Sequence, residues 1–213
     1  MLIYVITDRH LRPDLETGRL VEYVRASGAD MIQIREKDLG VADLLRCARR
    51  GRAQREVGGP EVYVNGRVDV ALAAGADGVH LPSAGLPAVE VRRCWGGRLR
   101  IGVSAHSVDE TRIAEAGGAD FVTFGPVFDT PSKRAYGPPV GVGALREAVG
   151  AVRIPVLAIG GIDPETLPLL AGTGISGIAV ISAVILAGDM RRAVADLRRA
   201  ADGSGMDRSG HAP

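Results

Sequence analysis

Short apolar runs of four to six residues recur along the chain. They are too brief and too rich in Val and Ile for helices, and they lack polar alternation, as strands buried on both faces do. The runs are Leu2–Ile6, MIQIRE at 31–36, Glu61–Val64, GVHL at 78–81, Leu99–Val103, FVTFG at 121–125, Pro155–Ile159 and Gly177–Ile181. Helix-compatible spacing lies between and around them, over 16–27, 41–56, 67–74, 87–94, 108–117, 142–151, 164–172 and 189–202. Ser107 with Glu110 makes a capping box for one of these. Asp163 followed by Pro164 opens another in the arrangement a helix N-terminus prefers. A repeat marks every second strand: Gly28-Ala29-Asp30, Gly75-Ala76-Asp77, Gly118-Ala119-Asp120 and, as a variant, Gly174-Ile175-Ser176. Each glycine ends a helical pattern just before an apolar run. Eight strands alternating with helices predict a single (β/α)8 barrel over residues 1–203. The polar, aperiodic residues 204–213 predict a disordered tail, with His211 in no functional role.

Composition narrows the class. Of the 213 residues, 46% are hydrophobic but only 4% aromatic, so the core must be built from Val, Ile, Leu and Ala. With 26 basic against 25 acidic side chains the net charge is +1, which argues against a general nucleic-acid surface. The longest apolar run, Gly177 to Ala187, is well short of the roughly 20 residues a membrane-spanning helix needs. Two cysteines, Cys47 and Cys94, make no disulfide framework or metal-binding spacing, and a reducing, cytoplasmic setting is expected.

Candidate chemistry gathers at the strand ends. Strand two ends in Gln33, Arg35, Glu36 and Lys37, strand three in Asn65, strand four in His80 with Ser83 beyond, and strand five in Ser104 and His106. The long connection 125–141 supplies Thr130, Ser132 and Lys133, and long βα loops on barrels tend to carry function. Strand seven ends in Gly160-Gly161 and strand eight in Ile181-Ser182. Bare backbone N–H groups followed by a helix start suit a phosphate, and barrels place such a site after strands seven and eight. Cations and hydroxyls together suit an anionic, phosphorylated small molecule. Blander roles stand beside these: Arg35 and Glu36 as a rim ion pair, His80 as a core histidine, His106 as a barrel-lining hydrogen-bonding residue.

The segments VYVNGRVDVALAAGADGVHLPS, IGVSAHS, FGPVFDTPSK, VLAIGGI and GIAVIS resemble the thiamine phosphate synthase superfamily in kind and in order. That resemblance implies a (β/α)8 barrel in thiamine biosynthesis, binding a thiazole phosphate and forming a homodimer. The synthase joins an aminopyrimidine diphosphate to the thiazole phosphate with Mg²⁺. Its site residues would map onto Gln33, Arg35, Lys37, Asn65, Ser104, Thr130, Ser132, Lys133, Gly161 and Ser182. Two metal-binding aspartates are expected as well, where this chain has Gly66 and Gly85.

The NGR and LPS variants are more similar to the thiazole tautomerase (TenI-like) branch, which needs no metal. That branch carries a loop-six histidine where this chain has Pro126. His106, with Lys37, is then the first catalytic candidate and Tyr136 a weaker one. Three readings follow: a metal-independent tautomerase first; a synthase holding its diphosphate with lysines or with Asp8, Glu36 or Asp38 second; a non-catalytic phosphate-ligand binder third. No cofactor is expected, except Mg²⁺ under the synthase reading.

Overall fold

The computed structural model describes residues 1–52, 59–130 and 137–206. Eight parallel strands close into a barrel in sequence order. They are β1 (Leu2–Ile6), β2 (Met31–Ile34), β3 (Glu61–Asn65), β4 (Gly78–Leu81), β5 (Arg100–Ala105), β6 (Phe121–Phe124), β7 (Val156–Ile159) and β8 (Gly177–Val180). The helices are α1 (Thr17–Arg25), α2 (Val41–Arg52), α3 (Val68–Ala74), α4 (Ala88–Trp95), α5 (Val108–Ala116), α6 (Gly141–Ala151), α7 (Ser182–Ile185) and α8 (Met190–Gly203). No described helix is long and apolar enough to cross a membrane.

The strands carry two different cores. Ile3, Val5, Ile32, Ile34, Val62, Val64, Val79, Ile101 and Val122 belong to the main apolar layer shared with the helices. Tyr4, Ile6, Met31, Tyr63, Phe121, Leu157 and Ala179 form a separate cluster that fills the barrel. Three of the few aromatic rings meet there edge to face, with Tyr63 and Phe121 centroids 5.3 Å apart and Tyr4 5.6 Å from Tyr63. Glycines on neighbouring strands make room for them. A Cβ at Gly78 would lie 2.3 Å from the Tyr63 ring, and one at Gly102 2.3 Å from the Phe121 ring.

The GAD repeat has a structural reason beyond its glycine. Asp30, Asp77 and Asp120 each accept the backbone N–H at the start of the preceding strand, from Ile3, Val62 and Ile101 at 2.8, 2.9 and 2.5 Å. Each aspartate's own N–H donates back to the carbonyl of the same residue. Arg198, Arg52 and Arg92 then hold the three carboxylates from the surrounding helices. The repeat is a clasp that registers odd strands against even ones at the N-terminal end of the barrel, away from the mouth.

Three expectations are corrected. The helix predicted over 164–172 is only a 3₁₀ turn, Leu167–Leu170. Asp163 instead closes the turn before it, its Oδ1 accepting from Glu165 and Thr166 N–H at 2.9 and 2.8 Å. Pro168 inside the segment has no N–H to continue an α-helix. Conversely, α7 forms directly after β8, inside a run expected to be strand and loop. The start of the predicted tail stays folded: Met206 N–H donates to the Ala201 carbonyl at 3.2 Å. Residues 207–213, His211 among them, lie outside the described residues.

Candidate active site

The C-terminal strand ends form the barrel mouth. Gln33 is buried there, Arg35, Asn65, Ser104 and Thr130 are half-buried, and Lys37, Ser83 and His106 are exposed. Ser132, Lys133 and Tyr136 lie outside the described residues.

Arg35 and Glu36 do not form the rim ion pair. Successive residues on a strand point to opposite faces, so Arg35 follows Gln33 toward the interior while Glu36 turns outward. Arg35 is anchored through its N–H, which donates to Thr7 Oγ1 at 3.0 Å. Its charge reaches His80 in the barrel and disfavours protonation there. Among the described residues no carboxylate pairs with its guanidinium. A half-buried guanidinium with no carboxylate beside it is poised for an anion from outside.

Glu36 is 4% exposed and underpins the loop after β1, where its Oε2 accepts from Arg9 N–H at 3.1 Å. Its Oε1 has no hydrogen-bond partner. Burial raises its pKa above the ordinary glutamate range, and the Thr7 hydroxyl and Arg9 N–H offset this only in part. The folded protein therefore binds this proton more tightly than the unfolded chain. As pH rises from the ordinary glutamate value through the raised folded one, Glu36 ionises and removes stability. Glu36→Gln is expected to remove that loss, so that the gap in melting temperature between variant and parent moves in the variant's favour as pH rises through this window. A gap that does not change with pH would return Glu36 to an ordinary solvated carboxylate.

The other carboxylates near the mouth are committed. Asp38 pairs with Arg9 and lies 3.4 Å from His10 Nε2, and Asp8 Oδ1 accepts His10 N–H at 3.1 Å. His106 is also partly engaged: its Nδ1 bonds the Gly125 carbonyl, and its N–H donates to Glu110 Oε2 at 2.7 Å. It ties the end of β5 to the root of loop six through Nδ1; because a carbonyl only accepts, the proton sits on Nδ1 and Nε2 keeps its lone pair.

Beneath the mouth runs a buried polar chain. Gln33 Nε2 donates to Tyr4 Oη at 3.0 Å, and Tyr4 Oη lies 3.4 Å from His80 Nδ1. His80 Nε2 lies 3.0 Å from Ser104 Oγ and 3.4 Å from Thr123 Oγ1. Burial pulls the His80 pKa down to about 3, so the imidazole is neutral. Tyr4 and Thr123 escaped the sequence reading. Tyr4 sits in LIYVI, whose unbroken apolar pattern hides which residues face inward.

The β7 and β8 ends form the opposite side. Gly160 and Gly161 have φ of +102° and +66°. Their carbonyls are taken, by Phe128 N–H at 3.0 Å and Thr166 Oγ1 at 2.9 Å. Among the described residues neither glycine N–H has an acceptor. Next to them Ile181 precedes α7 without any side-chain cap, and Ser182 is exposed. Loop six rests on this pair. A Cβ at Gly160 would lie 2.5 Å from Pro126 Cα, and one at Gly161 2.7 Å from the Asp129 carbonyl. Across the mouth, Gly66 and Gly85 both border Pro82. A Cβ at Gly66 would lie 3.7 Å from Pro82 Cδ and one at Gly85 3.0 Å from it.

The family model described as thiamine monophosphate synthase matches residues 3–184. The chain belongs to this family. A relative from Geobacter sulfurreducens is 46% identical over 189 residues, 89% of either chain. The thiamine-phosphate synthase of Methanocella arvoryzae is 42% identical over 196 residues, 92% of either chain. The solved structure of a thiamine phosphate pyrophosphorylase from Pyrococcus furiosus superposes with a TM-score of 0.85 at 36% identity, covering 95% of this chain and 96% of that one. Relatives are thus named for the synthase, the second of the three readings, and none of these names carries the tautomerase branch.

The Mg²⁺ that the synthase resemblance implies does not fit the residues present. Mg²⁺ takes hard oxygen ligands, usually from one or two carboxylates plus substrate phosphates. Gly66 and Gly85 offer no side-chain oxygen at the two positions where the resemblance puts the metal-binding aspartates. Asp8, Glu36 and Asp38 are used elsewhere in the ways given above.

Proposed function

We propose that this family member is a thiamine-phosphate synthase like the relatives named above, binding a phosphorylated thiazole at its barrel mouth and coupling it to an aminopyrimidine diphosphate. Arg35 carries the proposal, as a half-buried cation with no carboxylate partner among the described residues at the end of β2. The thiazole phosphate would lie against the N–H groups of Gly160 and Gly161 and the start of α7, with Ile181 and Ser182 beside it. The diphosphate would meet Arg35 and Lys37, with Gln33, Asn65, Ser104 and Thr130 completing the pocket. Coupling forms a bond from the thiazole nitrogen to the pyrimidine methylene carbon while the carbon–oxygen bond to diphosphate breaks. The leaving group departs with its electron pair, and fixed cations favour that charge separation in a partly desolvated pocket.

The tautomerase reading keeps one specific observation in its favour, the glycines at 66 and 85, because proton transfer within one ring releases no diphosphate. Pro126 cannot carry the proton in that reading, so His106 would, through the Nε2 left free by its Nδ1 bond to the Gly125 carbonyl. The cytoplasmic setting and the homodimer belong to the same proposal.

The test is an assay of the purified protein with both coupling substrates, with Mg²⁺ and with a chelator, alongside the non-aromatic thiazole carboxylate phosphate alone. Thiamine phosphate and diphosphate forming at a rate that the chelator leaves unchanged is the expected result. Aromatisation of the thiazole without coupling would establish the second reading. Binding with no turnover of either would leave the chain a ligand binder.

A further inference from the structure

We propose that Tyr4 and His80 form a one-way hydrogen-bond relay that fixes the Ser104 hydroxyl as a donor toward an anionic ligand in the mouth. The direction follows from counting protons. Tyr4 is fully buried, and its oxygen already accepts the Gln33 amide at 3.0 Å. Its own proton has one acceptor in reach among the described residues, His80 Nδ1 at 3.4 Å. A buried hydroxyl proton without an acceptor is costly, so Nδ1 accepts. A neutral imidazole that accepts at Nδ1 carries its proton on Nε2. That N–H donates to Ser104 Oγ at 3.0 Å, with Thr123 Oγ1 at 3.4 Å as a weaker second acceptor. The Ser104 oxygen is thereby occupied from below, and its own proton is left for the mouth.

The opposite tautomer would reverse the bonds on both sides of His80. Ser104 would donate downward to Nε2 and present lone pairs to the mouth, where they would repel an anion. Neutrality of the pair is secured by burial, which takes His80 to about 3 and raises Tyr4 well above its ordinary value. Nearby Arg35 further disfavours a charged His80. Tyr4 and His80 are positioning residues here, since neither reaches the mouth.

This inference rests on the anion-binding reading of the mouth, but its core can be measured without any ligand. Nitrogen-15 NMR of the unaltered protein should show His80 as a single neutral tautomer with its proton on Nε2. Isothermal titration with inorganic pyrophosphate then compares the parent, Tyr4→Phe, Ser104→Ala and the double variant. Tyr4→Phe keeps the ring packing and removes the hydroxyl, so Nδ1 loses its donor and the Gln33 amide its acceptor. Gln33→Met, which removes the second bond alone, is the control and should leave the His80 tautomer unchanged. Loss of one hydrogen bond to a charged ligand corresponds to about tenfold weaker binding or more for Ser104→Ala. Tyr4→Phe should lose part of the same factor, mix the His80 tautomers, and cause no further loss once Ser104 is alanine. A proton found on Nδ1, or fully additive losses in the double variant, overturns the relay. If the parent shows the Nε2 proton but binds neither pyrophosphate nor inorganic phosphate, the anion reading fails, and the relay's role falls with it. The tautomer measurement stands even if Tyr4→Phe does not fold.

Discussion

Gly161→Ala is expected to abolish binding of thiazole phosphate, whereas Gly172→Ala leaves it intact. The two glycines have nearly the same backbone conformation, φ +66° and +70°. An L side chain in that region costs about 1–2 kcal/mol at either site. They differ in what a Cβ would meet. At Gly172 nothing lies within 4 Å. At Gly161 the new carbon would lie 2.7 Å from the Asp129 carbonyl and 2.8 Å from Phe128 Cβ. Those are backbone and near-backbone atoms of loop six, so relief requires moving the loop, not turning a side chain. The same loop is held by Val127 N–H on the Ile159 carbonyl at 2.8 Å and by Phe128 N–H on the Gly160 carbonyl. A bulkier residue such as valine is therefore expected to disturb the fold around loop six as well as the ligand site. Thermal melting and titration with thiazole phosphate separate the two effects. Equal affinity in both alanine variants would remove the glycine pair from the phosphate site.

Arg35→Met should weaken pyrophosphate binding by about 10- to 100-fold, the range for losing charge-assisted hydrogen bonds in a partly buried site. It should not lower thermal stability. The combination is diagnostic. A structural arginine loses an ion pair on truncation and destabilises the fold. Arg35 has no carboxylate partner among the described residues, and a methionine keeps much of the apolar stem. Arg35→Lys should recover only part of the affinity, because an ammonium lacks the planar fork that matches two phosphate oxygens. The loss should also shrink at high salt, where exposed portions of the interaction are screened. Destabilisation without loss of affinity would place Arg35 in the scaffold and return the anion to Lys37 and loop six.

Much of this architecture was readable from the chain alone because it depends on local chemistry. Runs such as VLAI and GIAV, with glycine before or after them and helical spacing between, determined eight strands, their order and the barrel. The cations, hydroxyls and glycines at the strand ends determined that the mouth would be polar, since a parallel barrel brings every strand's C-terminal end to one rim. The motifs placed the chain in its family.

Tertiary structure decided the rest, for three physical reasons. Strands apolar on both faces have no alternation to show which residue looks inward. Only barrel closure separated Arg35 from Glu36, put Tyr4 inside and Val5 outside, and turned His80 from a lone core histidine into the centre of a hydrogen-bond chain. Competition between local signals was settled by context. Asp163 and Pro164 signal a helix start, but they open only a turn, and the helical stretch is one 3₁₀ turn beginning at Leu167. Finally, long-range partners leave no mark at short spacing. The aspartates of the GAD repeat were visible as a pattern, but their bonds run to backbone groups 27, 15 and 19 residues away. The approach of Gly66 to Pro82 likewise exists only once β3 and β4 lie side by side.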